Sequence, residues 1–493
     1  MSVRSLAIGL NLYRKCVAVP QVRFLSASGA ESLTGKYPTI RQLAEELAEV
    51  MGVEVGYKAV PKSREHLQAL IPQSIKELPP RTMRDSFTVG VIPLGSDSIL
   101  QEKYVSLTGQ VRASRFLEDM DLFAVVVAQK FLLNPRVKPG MHSPYTIVTA
   151  LVDRIEFTGY TPKLVNDVRI SGHVSWVGKS TIEVIVWLDQ KPHDEWHRIT
   201  KAVFLLAARD SINSKAAIVN PIQAETDAEK VILEGGHNRK MHRMNLREVG
   251  LMKSIPSFEE QKVVHDLFMR TMNISDISLQ KHELPAGCVW MEDCTISNIV
   301  HAHPENRNHH YTVFGGFLMQ QAAELSHTLG LLFSNHRPVL TSISDINFTK
   351  PVKMSSLLKM HAHVVFTQMH YMQITVYAET WDVLSKQTTT TNSFHFTYEV
   401  PEVLPEVFPK TYNEAMMYID GRRHFYNVML SDDHDEFTFD PITYFETPPN
   451  CSAYKRNIDY DVRPNQQSIG LSETKGLFEY ETRTLRIYTE LLI

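Results

Sequence analysis

Cysteine is nearly absent from this 493-residue chain: there are four, Cys16, Cys288, Cys294 and Cys451, and no two stand in Cys-x-x-Cys spacing. That argues against a disulfide framework and leaves no thiolate pair for zinc or a redox dithiol. Excess charge of one sign is missing too. The formal net charge is −4, no run of Lys and Arg is dense enough to follow a phosphate backbone, and nucleic acid is not an expected partner. The long apolar run at residues 122–128 falls far short of the roughly 20 residues that cross a bilayer, so no transmembrane segment is expected. Two catalytic templates also fail. There is no Gly-x-Ser-x-Gly nucleophile elbow. Five residues rather than four separate Gly172 from Gly178-Lys179-Ser180, so that near-phosphate loop reads as strand, turn, strand. What remains is ordinary globular material, 43% hydrophobic and 22% charged, enough for two or three domains with their own cores.

The chain opens with Arg4, Arg14, Lys15 and Arg23, several serines and no acid before Glu31. Residues 1–30 therefore resemble a mitochondrial transit peptide. Residues 31–84 read as an arm, helical over 40–53 through Leu43, Leu47 and Val50, then charged and loose from 60 to 84. A first domain is expected over 85–212, a helical linker over 213–283, a second domain over 284–400 and its extension over 401–430. The linker carries two capping-box starts, Thr226 with Glu229 and Ser257 with Glu260, and its first helix is expected to stop at Gly235-Gly236. Composition predicts little order over 431–493.

The two domains say the same thing twice. Each opens on an apolar helix, 114–129 and 316–333, followed by strand-like segments rich in Val, Ile and aromatic residues. A shift of 190 lays His173-Val174-Ser175-Trp176 on His363-Val364-Val365-Phe366, and a shift of 192 lays Asp153 on Asp345. Residues 122–128 are apolar nearly all round, which predicts a buried central helix wrapped by antiparallel strands, an α+β fold. The copies differ at the helix entrance, Phe314-Gly315-Gly316 in the second and Arg112-Ala113-Ser114 in the first.

That entrance is where chemistry is expected. Amides at a helix start suit an oxyanion, and two glycines leave them open to a substrate, although a tight turn would use the same residues. Carboxylates able to act as base stand one turn into the first helix. Glu118 and Asp119 can be read as solvated acids complementing the dipole, whereas Asp121 lies deeper, where the helix becomes wholly apolar. The corresponding acid of the second helix is Glu324. Ahead of that helix, Asn308 could position water without titrating, or cap a turn. The nearby His301, His303, His309 and His310 match no closed zinc spacing, and no metal is expected there.

The diglycine before a long helix, the duplication, and the motifs Phe116-Leu117-Glu118-Asp119-Met120-Asp121, Ser171-Gly172-His173-Val174-Ser175-Trp176, His303-Pro304-Glu305-Asn306-Arg307-Asn308 and Val407-Phe408-Pro409-Lys410-Thr411-Tyr412 resemble the double hotdog acyl-coenzyme A thioesterases. The resemblance implies two tandem hotdog domains, each an antiparallel sheet wrapped round a long central helix. It implies hydrolysis of fatty acyl-CoA in the mitochondrial matrix without a dissociable cofactor, by a homo-oligomer. Its composite site would take Asn308, Gly315 and Gly316 from the second domain and Asp121, or Asp119 two residues before it if the register slips, from the first, with Arg307, Phe314 and Glu324 near the substrate. One rival is a non-catalytic acyl-CoA-binding protein with decayed sites; a dehydratase would want an Asp and a His on one side of the thioester, and neither helix entrance offers a convincing pair.

Overall fold

The computed structural model describes residues 33–53, 62–272, 281–308, 312–348, 350–354, 356–382, 385–430 and 439–446. The expected leader, His309, His310 and residues 447–493 of the expected tail lie outside the described residues. The Val-, Ile- and aromatic-rich segments form strands β1 Thr88–Ile92, β2 Thr146–Phe157, β3 Val168–Val177, β4 Thr181–Gln190, β5 His197–Arg209, β6 Thr295–His301, β7 Val339–Asn347, β8 Leu357–Gln368, β9 Tyr371–Trp381 and β10 Thr388–Glu399. The longer helices are α1 Ile40–Met51, α2 Ala113–Phe131, α3 Asp227–Val249, α4 Phe258–Arg270, α5 Gly315–Ser334 and α6 Tyr412–Met429. Among the described residues no helix is long and apolar enough to cross a membrane.

All ten strands join one sheet in the order β1-β3-β4-β5-β2-β7-β10-β9-β8-β6, which reads alike from both edges. Its halves meet at the antiparallel pair β2 and β7, with Ile155 opposite Ile343 and Val152 opposite Ile346. The duplication extends to irregularities. The β3–β4 ladder slips between Val174 and Trp176, and the β8–β9 ladder between Val364 and Phe366, 190 positions later. On one face lie α2 and α5, packed together and against their half-sheets. Phe116, Phe123 and Phe131 of α2 are wholly buried, each contributing about 1.5–3 kcal/mol by leaving water. Each half also has a strand before its helix, β1 and β6, where sequence reading placed the helix first. Neither strand carries a clean period of two: β1 is buried along most of its length and β6 mixes polar residues on both faces.

The opposite face corrects the domain plan. Helix α3 does not stop at Gly235-Gly236 but runs through it, because Gly236 serves packing rather than capping. A Cβ there would come within 2.4 Å of Trp176 Cβ, beside the β3 bulge. Gly421 of α6 plays the same part, since a Cβ there would come within 2.4 Å of Val365 Cγ2 at the β8 bulge. The caps agree: Thr226 and Glu229 start α3, Thr411 and Glu414 start α6, each 185 positions apart. The first helix of the expected linker is thus the outer helix of the first half, and the expected extension is its counterpart. The arm is not loose either, since Leu67, Ile71, Leu78 and Met83 are buried. Part of the expected tail is ordered too: Pro441–Glu446 is helical, and Phe445 stacks on Phe87 at 4.7 Å between centroids.

Candidate active site

The mirrored strand order brings the start of α5 against the first turns of α2, and so sets the diglycine against the acids. Gly316 N–H donates to Asp121 Oδ2 at 2.7 Å, and the Thr149 hydroxyl of β2 donates to Asp121 Oδ1 at 2.6 Å. This close approach requires glycine. A Cβ on Gly316 would lie 2.8 Å from Glu118 Cα, and one on Gly315 would lie 3.0 Å from Asp121 Oδ2. Asp121 is fully buried, and burial pushes its carboxyl up to about 6, opposed by its two neutral hydrogen-bond donors. The positive end of α5 adds to their support of the anion.

Asp121 opens onto a cavity of about 220 Å³. Arg307, Asn308, Phe314 and Gly315 of the second half face Leu122, Val125 and Thr149 of the first across it. Leu47 and Met51 of α1 close the apolar side. Asn308 both lines the cavity and closes a turn: its Nδ2 donates to Thr312 Oγ1 at 2.7 Å, and Thr312 N–H donates back to Asn308 Oδ1 at 3.2 Å. Phe314 is the N-cap residue of α5, its N–H given to the Asn306 carbonyl.

Two expected members stand elsewhere. Asp119 accepts the Tyr104 hydroxyl, and does not line the cavity. Burial raises its carboxyl to about 7. Glu324 occupies the symmetry-related pocket, where Arg112 holds it at 2.7 Å and Ser114 donates to the same oxygen. The reason is the entrance sequence: Ala113 and Ser114 stand where the second half has Gly315 and Gly316, and Arg112 stands where it has Phe314. Thr149 and the α1 residues were missed by sequence reasoning. Thr149 lay in the aligned strand, but only pairing of β2 next to α2 reveals its hydroxyl on Asp121. His301 ends β6 and His303 caps the short turn after it, their ring centroids 6.1 Å apart, outside any group of potential metal ligands among the described residues.

No family model matches the chain. It is 38% identical over 389 residues to human "acyl-coenzyme A thioesterase 9, mitochondrial", spanning 78% of this chain and 88% of that protein. It is likewise 38% identical over 390 residues to mouse "acyl-coenzyme A thioesterase 10, mitochondrial", with the same coverage. A solved acyl-CoA hydrolase from Staphylococcus aureus, in complex with butyryl coenzyme A, coenzyme A and coenzyme A disulfide, is 21% identical, covers 32% of this chain and 99% of its own, and superposes with a TM-score of 0.29. Relatedness of the curated proteins makes the chain an acyl-CoA thioesterase, a thioester hydrolase. Its family is that of acyl-coenzyme A thioesterases 9 and 10.

Proposed function

We propose that this hydrolase cleaves fatty acyl-CoA in mitochondria, in the matrix, through one composite site between two tandem hotdog domains, with Asp121 as general base. The meeting of Asp121 from one half with Gly315, Gly316 and Asn308 from the other, at a cavity, carries this reading. The Gly316 N–H and Thr149 hydroxyl hold the carboxylate, whose remaining lone pairs take a proton from water as its oxygen adds to the thioester carbonyl carbon. The amide of Gly315, first in α5, is one of the N–H groups that a helix start leaves without an intrahelical acceptor, and suits the oxyanion. Collapse breaks the C–S bond, and the proton held by Asp121 passes to the coenzyme A sulfur. Asn308 and Arg307 line the water and substrate side, with Phe314 against the acyl thioester. Glu324 is tied by Arg112 and Ser114, which supports a single working site. The basic, acid-free first 30 residues and the relatives' mitochondrial names support the location. Self-association through sheet edges is part of the proposal, because β6 ends the sheet with alternate residues exposed.

The test is release of free coenzyme A from short, medium and long acyl-CoAs by the chain lacking residues 1–32. Hydrolysis is expected, with kcat/KM falling about tenfold per pH unit below about 6 as Asp121 takes its proton. Asn308→Ala is expected to lose roughly 10²-fold in kcat. Binding of acyl-CoA without release of thiol would sink the mechanism, and a profile flat through pH 6 would remove Asp121 as base.

The apolar wall makes a separate prediction. Met51 ends α1 almost fully buried and lines the cavity beside Leu47. Met51→Ala should lengthen the space and raise kcat/KM for a longer acyl chain over a shorter one by about tenfold, the discrimination a methylene or two commands in an apolar pocket. An unchanged ratio across the panel would mean the acyl chain runs elsewhere.

A further inference from the structure

Beneath α6, on the face of the sheet away from α5, a cavity of about 930 Å³ is lined by four histidines, His361, His363, His395 and His424. One group there stands apart from the hydrolytic site: His395 of β10 with Asp420 and His424 of α6, whose potential ligand atoms all lie within 4.8 Å of one another. We propose that these three residues bind a zinc ion that clamps α6 to the sheet.

The donor set comes first. Two imidazoles and a carboxylate, with a fourth position open to a cavity, suit zinc. Asp420 and His424 are four residues apart on one helix, which turns both side chains to the same side, with His424 Nε2 3.9 Å from Asp420 Oδ2. The second observation concerns what stands behind the ligands. His424 Nδ1 is 3.3 Å from Asp345 Oδ2 and 3.2 Å from Ser344 Oγ, and His395 Nδ1 is 3.2 Å from Thr375 Oγ1. Each ring therefore has one nitrogen held from behind, which leaves the Nε2 of each for a metal and orients it. Asp345 reaches His424 from a residue in the left-handed backbone region, φ 50°, at a break in the β7 ladder. That is an uncommon conformation for a non-glycine residue, though one that Asp tolerates.

The third observation is the contrast between the halves. Asp153, the counterpart of Asp345, is held by Arg243 of α3 at 2.7 Å, and Arg239, which aligns with His424 at the 185 shift, is held by Glu183 at 2.8 Å. The first half thus fastens its outer helix with guanidinium groups. The second half has imidazoles and carboxylates at the same level. The two rings now stack with centroids 3.6 Å apart. Coordination would open that stack and draw the ligand atoms to about 3.3 Å from one another, the edge of a tetrahedron with bonds of roughly 2.05 Å.

The full chain, freed of metal by chelator, would be titrated with Zn²⁺ by calorimetry and with Co²⁺ by visible absorption, while its thermal midpoint is followed. One equivalent of zinc with a higher midpoint is expected, and cobalt bands of a low-coordinate N,O site. Asp420→Asn should abolish both. Asp345→Asn, which leaves the three ligands in place and suits the left-handed conformation, should weaken zinc 10- to 100-fold. Coenzyme A release by both variants should remain, because neither residue lines the Asp121 cavity. Zinc uptake equal in the parent and in Asp420→Asn, or no uptake by the correctly folded parent, would overturn the proposal.

Discussion

Asp121→Asn is expected to lose thioester hydrolysis by about 10²- to 10⁴-fold and yet to unfold at a higher temperature than the parent. The two effects have one source. Asp121 is completely buried between neutral donors, so its charge is tolerated rather than sought by the fold. Its folded-state value of about 6 lies above the ordinary 3.8, so at neutral pH the ionised form is disfavoured in the folded chain by about 3 kcal/mol. The sign follows from the raised value. Below about 4 the carboxyl is protonated in both states and has no such effect, and the penalty grows as pH rises towards 6 and is complete above it. Asn has nearly the same shape, keeps an oxygen for the Gly316 N–H, and can donate its amide to Thr149 Oγ1. The difference in thermal midpoint between parent and variant should therefore be largest above pH 6 and close as pH falls towards 4. A variant less stable than the parent at pH 7 would mean that the anion is itself held by the helix end, and that Asp121 is structural first.

The duplication, the buried helices and the meeting place of the site were legible because each rests on local pattern. Apolar residues all round positions 122–128 mark a central helix, the 190 shift survives down to matched bulges, and the entrance asymmetry singles out Gly315-Gly316. What was illegible depends on contacts between distant segments. Gly235-Gly236 has the local signature of a helix end, and only the approach of α3 to Trp176 reverses that reading. Sequence pattern favours Asp121 over Asp119 only by its depth in the helix, and reads Asp119 as a solvated acid. Their difference appears when Tyr104 takes one and Gly316 the other. Leu47 and Met51 belong to an arm that local pattern cannot dock. The histidine cluster is beyond spacing rules altogether, since His395 and Asp345 reach α6 through the sheet.

The outer helix of the first half supplies the second large effect: Glu183→Ala should destabilise the fold by about 3–5 kcal/mol. Helix α3 has few apolar attachments, and its buried residues are Glu229, Gly236 and Arg243. Its hold on the sheet is largely ionic. Glu183, fully buried on β4, accepts from Arg239 at 2.8 Å and Ser175 at 2.8 Å through Oε1, and from Arg243 at 3.3 Å through Oε2. Removing that carboxylate takes the Glu183 contacts from two guanidinium groups, Arg239 20% and Arg243 8% exposed, of which Arg243 keeps Asp153 at 2.7 Å. An uncompensated buried charge is the expensive outcome, far more so than the loss of an exposed pair. Amide hydrogen exchange should locate the damage, with protection lost along Asp227–Val249 before the β2–β7 seam. Urea unfolding should show the lower stability. Because α3 and α2 lie on opposite faces of the sheet, coenzyme A release below the unfolding transition should persist. Unchanged exchange in α3 would mean that the Gly236–Trp176 contact alone holds the helix, and that the arginines contribute nothing to its docking.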